Sequence, residues 1–389
     1  MRFFFSFLFC LIAITCGYTQ NNWYKGNLHT HSYWSDGDEF PEMIMSWYKE
    51  RGYNFVALSD HNILAEGEKW VKVQHSKLYE DGFQAYHEKY GKAVTYKTDS
   101  GRFHVKLKTY AEYKPLFEDS KFLIIRSEEV TDKFEGKPIH MNATNVSKLI
   151  RPQGGTSVAD VIQRNIDAVL QQRKDTGIPM FPHVNHPNFY YSISTQDLIS
   201  LHGERFFEVY NGHFMVNNYG DSLHPGTEQM WDMINLAYLK KGQPMMYGLA
   251  TDDSHNYHQF GSSFSNAGRG WVMVKTEALT PEALIKAMEN GDFYASTGVV
   301  LSELKVEKRT ITIKIKAEAG IDYQIHFIGV TKKDIQAHEL QVVSGAQGSF
   351  TLSSDHLYVR VKITSTKLKT NPFREGEYEV AWTQPVKGE

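Results

Sequence analysis

Two histidines flank one threonine in "NLHTHSYWSD" (27–36), and Asp36 follows five residues after the second. On an extended chain, residues two apart project to the same side, so His29 and His31 present their imidazoles together. "TDDSH" repeats that spacing with Asp253 and His255. His61 in "LSDHN", Glu128 and Glu129 in "SEEV", His140 in "KPIHMNA", and His183 and His186 in "PHVNHPN" add further imidazoles and carboxylates. Each element alone is a weak signal. H-x-H arises by chance, and a single histidine more often closes a hydrogen bond than holds a metal. Their recurrence near the ends of apolar, strand-like runs is a stronger one. The C-terminal ends of parallel strands converge on one face, and residues far apart in the chain can meet there.

The runs that must position these residues are "NFVALSD" (54–60), "KFLIIRSEEV" (121–130), "IPMFPHV" (178–184), "RFFEVYNG" (205–212) and "PMMYGLATDD" (244–253). Helical spacing and end signals predict helices over 41–52, 156–177, 227–242 and 280–291. Strands alternating with helices of this length predict βα units and a mostly parallel sheet or barrel. After residue 298 the pattern becomes period two, as in "RTITIKIKAEA" (309–319), which predicts a small antiparallel β domain over 299–389. Residues 66–120 are polar and aromatic, with a helix predicted near 108–118, and read as an insertion or lid.

The ordered set "HTHSYWSDG", "PEMIMSWYKERGYNFVALSDHN", "SEEVT", "IHMNA", "NHPN" and "TDDSH" resembles the PHP family of polymerase and histidinol phosphatase domains. The resemblance covers roughly residues 25–270. It implies an α/β fold, a distorted (β/α)7 TIM-like barrel with two or three divalent metal ions at its mouth, here followed by the β domain. Carried over position by position, it implies the ligands His29, His31, Asp36, His61, Glu129, His140, His186, Asp253 and His255. Glu129 is preferred to Glu128, although Ser127 stands where the family has glycine. His186 is preferred to His183 because it precedes proline. Asp252 and Asp60 are expected behind the ligands, with Asp60 orienting an imidazole.

The implied activity is phosphomonoester or phosphodiester hydrolysis by a metal-activated hydroxide held by His29, His31, His61, Glu129 and Asp253. A donor set of imidazole and carboxylate without thiolate suits zinc, manganese or iron(II). Arg269 in "GRGW", Asn211 and His213 in "EVYNGH", and more weakly Lys25, are expected to contact a small phosphorylated substrate. His224 and His258 are expected to shape the entrance. A metal-dependent hydrolase of amides, lactones or carboxyl esters is the rival enzyme class, and an exported binding protein the rival outside enzymes.

The opening "MRFFFSFLFCLIAITCGYTQ" predicts a signal peptide over 1–20, with cleavage after Gly17 or Gln20 and a lipoprotein through Cys16 as the alternative. The expected location is periplasmic or extracellular. Cys10 and Cys16 are the two cysteines, so the exported chain would rely on its core and not on disulfides. A net charge of −3 without a basic run leaves no footprint for nucleic acid, and no transmembrane span is expected in the mature chain.

Overall fold

The computed structural model describes residues 22–203 and 205–388; the expected signal peptide lies outside them. The first strand, β1 (Asn22–Asn27), was not legible as one, because "NWYKGN" is short and polar. Its pairing specifies it: antiparallel to Trp271–Thr276 and parallel to Phe55–Leu58. Helix α1 (Pro41–Glu50) starts on Pro41, whose missing N–H is harmless in a first turn. It packs Ile44, Met45 and Tyr48 against the fully buried β2 (Phe55–Leu58).

The expected insertion carries β3 (Trp70–Lys72), α2 (Lys77–Tyr90), β4 (Tyr96–Asp99), β5 (Arg102–Lys106) and α3 (Tyr110–Phe117). Its strands pair antiparallel in the order β3–β5–β4, and Tyr86 stacks on Phe40 at 4.1 Å. Next, β6 (Leu123–Phe134) and β7 (Lys137–Thr144) form a long hairpin. Its two turn residues, Glu135 and Gly136, both have positive φ, as a tight hairpin turn requires. Helix α4 (Val158–Thr176) is capped by Ser157, which accepts from the Asp160 N–H, and ends on Gly177 in the left-handed region. The chain continues through β8 (Phe181–Val184), α5 (Thr195–Ile199), β9 (Phe206–Asn211), α6 (Thr227–Lys240), β10 (Tyr247–Thr251), β11 (Trp271–Thr276), α7 (Pro281–Glu289) and β12 (Phe293–Ser296).

Eight strands follow: β13 (Leu301–Glu307), β14 (Thr310–Ile315), β15 (Tyr323–Thr331), β16 (His338–Ser344), β17 (Gln347–Thr351), β18 (His356–Leu368), β19 (Tyr378–Thr383) and β20 (Val386–Lys387). The topology departs from the expectation of a mostly parallel sheet or barrel. One mixed sheet runs β10-β9-β8-β7-β6-β2-β1-β11-β12-β19-β18-β15-β16, with β20 on β18. Strand β7 is antiparallel to both neighbours, because the tight β6–β7 turn leaves no room for a crossover helix. On the far side of β1, antiparallel β11 and β12 carry the sheet straight into the C-terminal strands.

The arc from β1 to β10 is curled. Phe55, Leu123, Phe181, Phe206 and Leu249, from five different strands, share one buried cluster, which a flat sheet does not allow. The two ends of the arc also touch: His31 N donates to Ser254 O (2.9 Å) and Asp253 N donates to His29 O (3.0 Å). The C-terminal strands are firmly attached. The Gln384 amide pairs both backbone groups of Gly248, and Arg360 makes a two-pronged contact to Asp232 on α6 (2.8 and 2.7 Å). Among the described residues, no helix is long and apolar enough to cross a membrane.

Candidate metal centre

Side-chain alternation puts an apolar plug and a polar floor on the same face of the strands. Two residues beyond Phe181 and Phe206 in the plug come His183 and Glu208, and four beyond Ile125 comes Glu129. The same alternation sends Glu128 to the opposite face. There its carboxylate accepts from the Ile150 N–H at 2.6 Å, and burial pushes its pKa up to about 8. Glu129, not Glu128, is thus the residue at the centre. It lies within β6 instead of at its end, and His140 lies within β7, paired with Thr131. His140 reaches the centre from a strand running the opposite way.

The expected ligands converge. His29 Nε2 and His31 Nε2 face each other at 3.1 Å. Glu129 Oε2 is 3.3 Å from His29 Nε2, 3.1 Å from His31 Nε2 and 3.0 Å from His61 Nδ1. Glu129 Oε1 is 3.0 Å from His140 Nδ1 and 3.4 Å from His186 Nε2. Asp253 Oδ1 stands 3.2, 3.3 and 3.6 Å from ring nitrogens of His29, His31 and His255. Asp36 is more than the cap of its turn: its carboxylate is 3.4 Å from both His61 and His255 and 3.7 Å from His31. Ligand atoms within 4.8 Å of one another form five groups: His31–Asp36–His61–His255, His29–His31–Asp253, His29–Glu129–His186, His61–Glu129–His140 and His29–His183–Glu208.

The last group was not foreseen. Glu208 is fully buried in the apolar run of β9, and a carboxylate in such a run was the available signal. It accepts from His29 Nδ1 (2.7 Å), the His186 N–H (2.8 Å), Asn211 Nδ2 (2.7 Å) and Thr251 Oγ1 (2.7 Å). That places a proton of His29 on Nδ1 and points Nε2 at Glu129, Asp253 and His31. His183 is buried, with no hydrogen-bond partner on either ring nitrogen, and its Nε2 is 3.5 Å from Glu208.

The electrostatics call for cations. Burial opposes charge on His29 and His61. Even so, Asp253, Glu208 and Glu129 hold the His29 pKa well above its usual value, and Glu129 and Asp36 lift His61 to about 11. His186 and His255 are also raised, whereas burial lowers His140 and His183. The carboxylates of Glu129, Asp253, Glu208 and Asp36 are held low by the surrounding imidazoles, against the effect of burial. Glu129 Oε2, ringed by three nitrogens at 3.0–3.3 Å, nevertheless makes no hydrogen bond. Imidazole nitrogens and carboxylate oxygens that converge in this way could hold a divalent cation.

Other expected residues do different work. Arg269 is buried, and its guanidinium is saturated by the carbonyls of Gly212, Phe264, Gly261 and Asn371 at 2.5–3.1 Å, so it has no free edge for a phosphate. Asn211 is buried and steadies Glu208 and Asp253 instead of facing a substrate. Asp60 accepts from Ser32 N, Ser32 Oγ and Ser35 Oγ, and Ser35 Oγ in turn lies 3.3 Å from His31 Nδ1, so Asp60 orders the loop directly and reaches an imidazole through Ser35. Asp252 accepts from Tyr48 Oη and from the N–H groups of Gly268, Arg269 and Gly270. The Lys25 ammonium sits between the Tyr53 and Trp271 rings, 3.9 Å from each. His213 borders the centre, 5.5 Å from the His255 ring, and burial pushes its pKa down to about 3. His258 bonds the Asp38 carbonyl, and His224 stacks on Tyr191.

No family model and no curated protein matches the chain. Solved structures do. A two-domain protein from Bacteroides vulgatus, containing a predicted PHP-like metal-dependent phosphoesterase, is 14% identical with a TM-score of 0.40, covering 94% of this chain and 96% of its own. A candidate metal-dependent phosphoesterase from Bifidobacterium adolescentis is 12% identical (TM-score 0.28, 62% of this chain, 92% of its own). An amidohydrolase from Chromobacterium violaceum with bound sulfate and no metal is also 12% identical (TM-score 0.28, 62% and 90%). The functional reading below rests on the residues themselves.

Proposed function

We propose that this chain is a metal-dependent hydrolase of phosphate esters. In this reading residues 21–298 form the distorted barrel, 299–389 form the β domain, and 1–20 direct export. One observation carries the proposal: Glu129 Oε2 lies among His29, His31 and His61 within 3.3 Å and is hydrogen-bonded to none. The proposed ligands are His29, His31, Asp36, His61, Glu129, His140, His186, Asp253 and His255.

Bound divalent ions supply charge neutralisation at the phosphoryl oxygens and an activated water at neutral pH. The chain's own residues hold that chemistry in place. Glu208 sets the His29 tautomer, and Asn185 Nδ2 donates to Glu129 Oε1 at 2.7 Å. Asn211 Nδ2 donates to Asp253 at 3.1 Å. His213 accepts the Met215 N–H on Nδ1, so its Nε2 carries the hydrogen and offers a neutral donor beside the centre. Asp36, Glu129, Glu208 and Asp253 bring four negative charges. Three divalent ions therefore leave the centre positive towards an anionic ester, and two leave it neutral.

The saturated guanidinium of Arg269 favours a second reading, hydrolysis of a neutral amide, lactone or carboxyl ester, which needs no cationic clamp. Metal content and turnover of phenyl phosphate, bis(4-nitrophenyl) phosphate and 4-nitrophenyl acetate on one metal-loaded sample separate the readings. Phosphate ester turnover with two or more ions per chain is expected. Acetate turnover alone would establish the second reading, and fewer than two ions would remove both.

A further inference from the structure

One side of the centre is walled by rings. Phe189 lies 5.1 Å from the His186 ring and 6.3 Å from the His140 ring, centroid to centroid. Tyr190 packs on Phe189 at 4.5 Å. His213 meets Phe189 edge-on at 5.6 Å and stacks on Phe214 at 5.0 Å, with 20° between the planes. The two loops that carry these rings are tied by a backbone bridge between Phe189 and Val216.

The outer rings are open to solvent: Tyr190 is 64% exposed and Phe214 39%. Aromatic rings exposed beside a buried polar centre mark a contact surface. The backbone is strained where they are aimed. Tyr190 and Tyr191 both have φ of 51°, a left-handed conformation that non-glycine residues adopt at a cost. Tyr191 is pinned by its stack on His224 at 3.9 Å, and Asp221 holds that imidazole at 2.9 Å. Phe189, Tyr190 and Phe214 bring no charge to the wall.

We propose that Phe189, Tyr190, His213 and Phe214 form the leaving-group subsite, and that the ester cleaved here carries an uncharged aryl group directly on its scissile oxygen. This rests on the phosphate ester reading. With the phosphoryl group among the metal ligands, a substituent leaving from the His186, His140 and His255 side meets Phe189 or His213 first. Those rings lie one ring contact from the ligands, so a flat ring joined without a spacer can stack on them. A charged or long flexible group finds no partner on this wall.

The test uses the full, metal-loaded chain and calorimetric binding of phenyl-, cyclohexyl- and methylphosphonate. Phenylphosphonate should bind roughly tenfold more tightly than methylphosphonate, in line with stacking on one or two rings. Tyr190→Ala and Phe214→Ala together should cut that phenyl-to-methyl ratio about tenfold, and Phe214→Tyr should keep it. Equal binding of phenyl and methyl compounds, or a ratio unmoved by the double variant, overturns the subsite. Cyclohexylphosphonate binding as tightly as phenylphosphonate overturns the aryl assignment. If no phosphonate binds, the phosphate ester reading fails, and the subsite falls with it.

Discussion

Glu208 shows how a buried carboxylate can tune a site it borders. Its oxygens take four donors, the Nδ1 of His29 among them. Glu208→Gln keeps the shape but replaces one acceptor with an amide, which forces a repulsive contact or a different His29 tautomer. The expected result is a 10- to 100-fold loss of metal affinity with an unchanged far-UV spectrum, read by titration against a chelating indicator. Glu128, one residue from the centre but on the opposite face, makes a separate prediction about pH. Burial raises its folded pKa to about 8, whereas the carboxyl of the unfolded chain titrates near the ordinary 4.5. Between these values the unfolded chain gives up the proton and the folded chain keeps it, so stability falls as pH rises through that window. Glu128→Gln removes the ionisation. Relative to the wild type, it should gain a few kcal/mol between pH 5 and pH 8, since a tenfold difference in proton affinity is worth about 1.4 kcal/mol. Urea unfolding at the two pH values checks it, and parallel curves for the two proteins would contradict it.

At the scale of elements, strands and loops share the site, and one arginine ties three of the loops together. Arg269 joins the end of β9 at Gly212, the 261–264 loop, and the 371–372 loop of the C-terminal strands. Asn371 closes the link by donating to the Ala267 carbonyl. Lysine carries the same charge but cannot reproduce five donors in a fork. Arg269→Lys should therefore cost about 2–4 kcal/mol of stability, because several buried carbonyls lose a charged partner. It should leave KM for a phosphate ester within about threefold, whereas a phosphate clamp would lose far more. Thermal unfolding alongside a KM measurement distinguishes the two roles.

For the whole molecule, the metal centre and the C-terminal strands should both act on global stability. A cation bound by the folded state alone adds RT ln(1 + [L]/Kd), about 2.7 kcal/mol at a hundredfold excess over Kd. Chelation should accordingly lower the melting temperature by several degrees, and re-addition of metal should restore it. No shift on chelation would argue against a buried multinuclear centre. The C-terminal strands continue the main sheet through the β12–β19 pair, and Trp382 joins the core packed around α4 and α6. A chain ending at residue 298 leaves β12 as an open edge and exposes that core. It should aggregate or remain protease-sensitive, in contrast to an independent module appended by a linker.

The sequence by itself determined the chemistry of the donor set. Histidines and carboxylates two apart or beside apolar runs are local patterns that can be read before the chain folds. His29, His31, His61, Asp253 and His255 were legible for that reason, although these five lie just past the strand ends and not within strands. So were the helices that start on Pro41 and Pro281. Tertiary structure decided the rest, because it depends on what lies opposite. Glu129 and Glu128 are neighbours in the chain, and register alone sent one to the centre and the other against Ile150. Glu208 looked like an ordinary charge until His29, almost 180 residues earlier, was placed at its oxygen. Arg269 looked like a phosphate clamp until three loops closed their carbonyls around it. A backbone carbonyl carries no sequence signal, so a side chain whose partners are carbonyls cannot be told from a free one before the chain is folded.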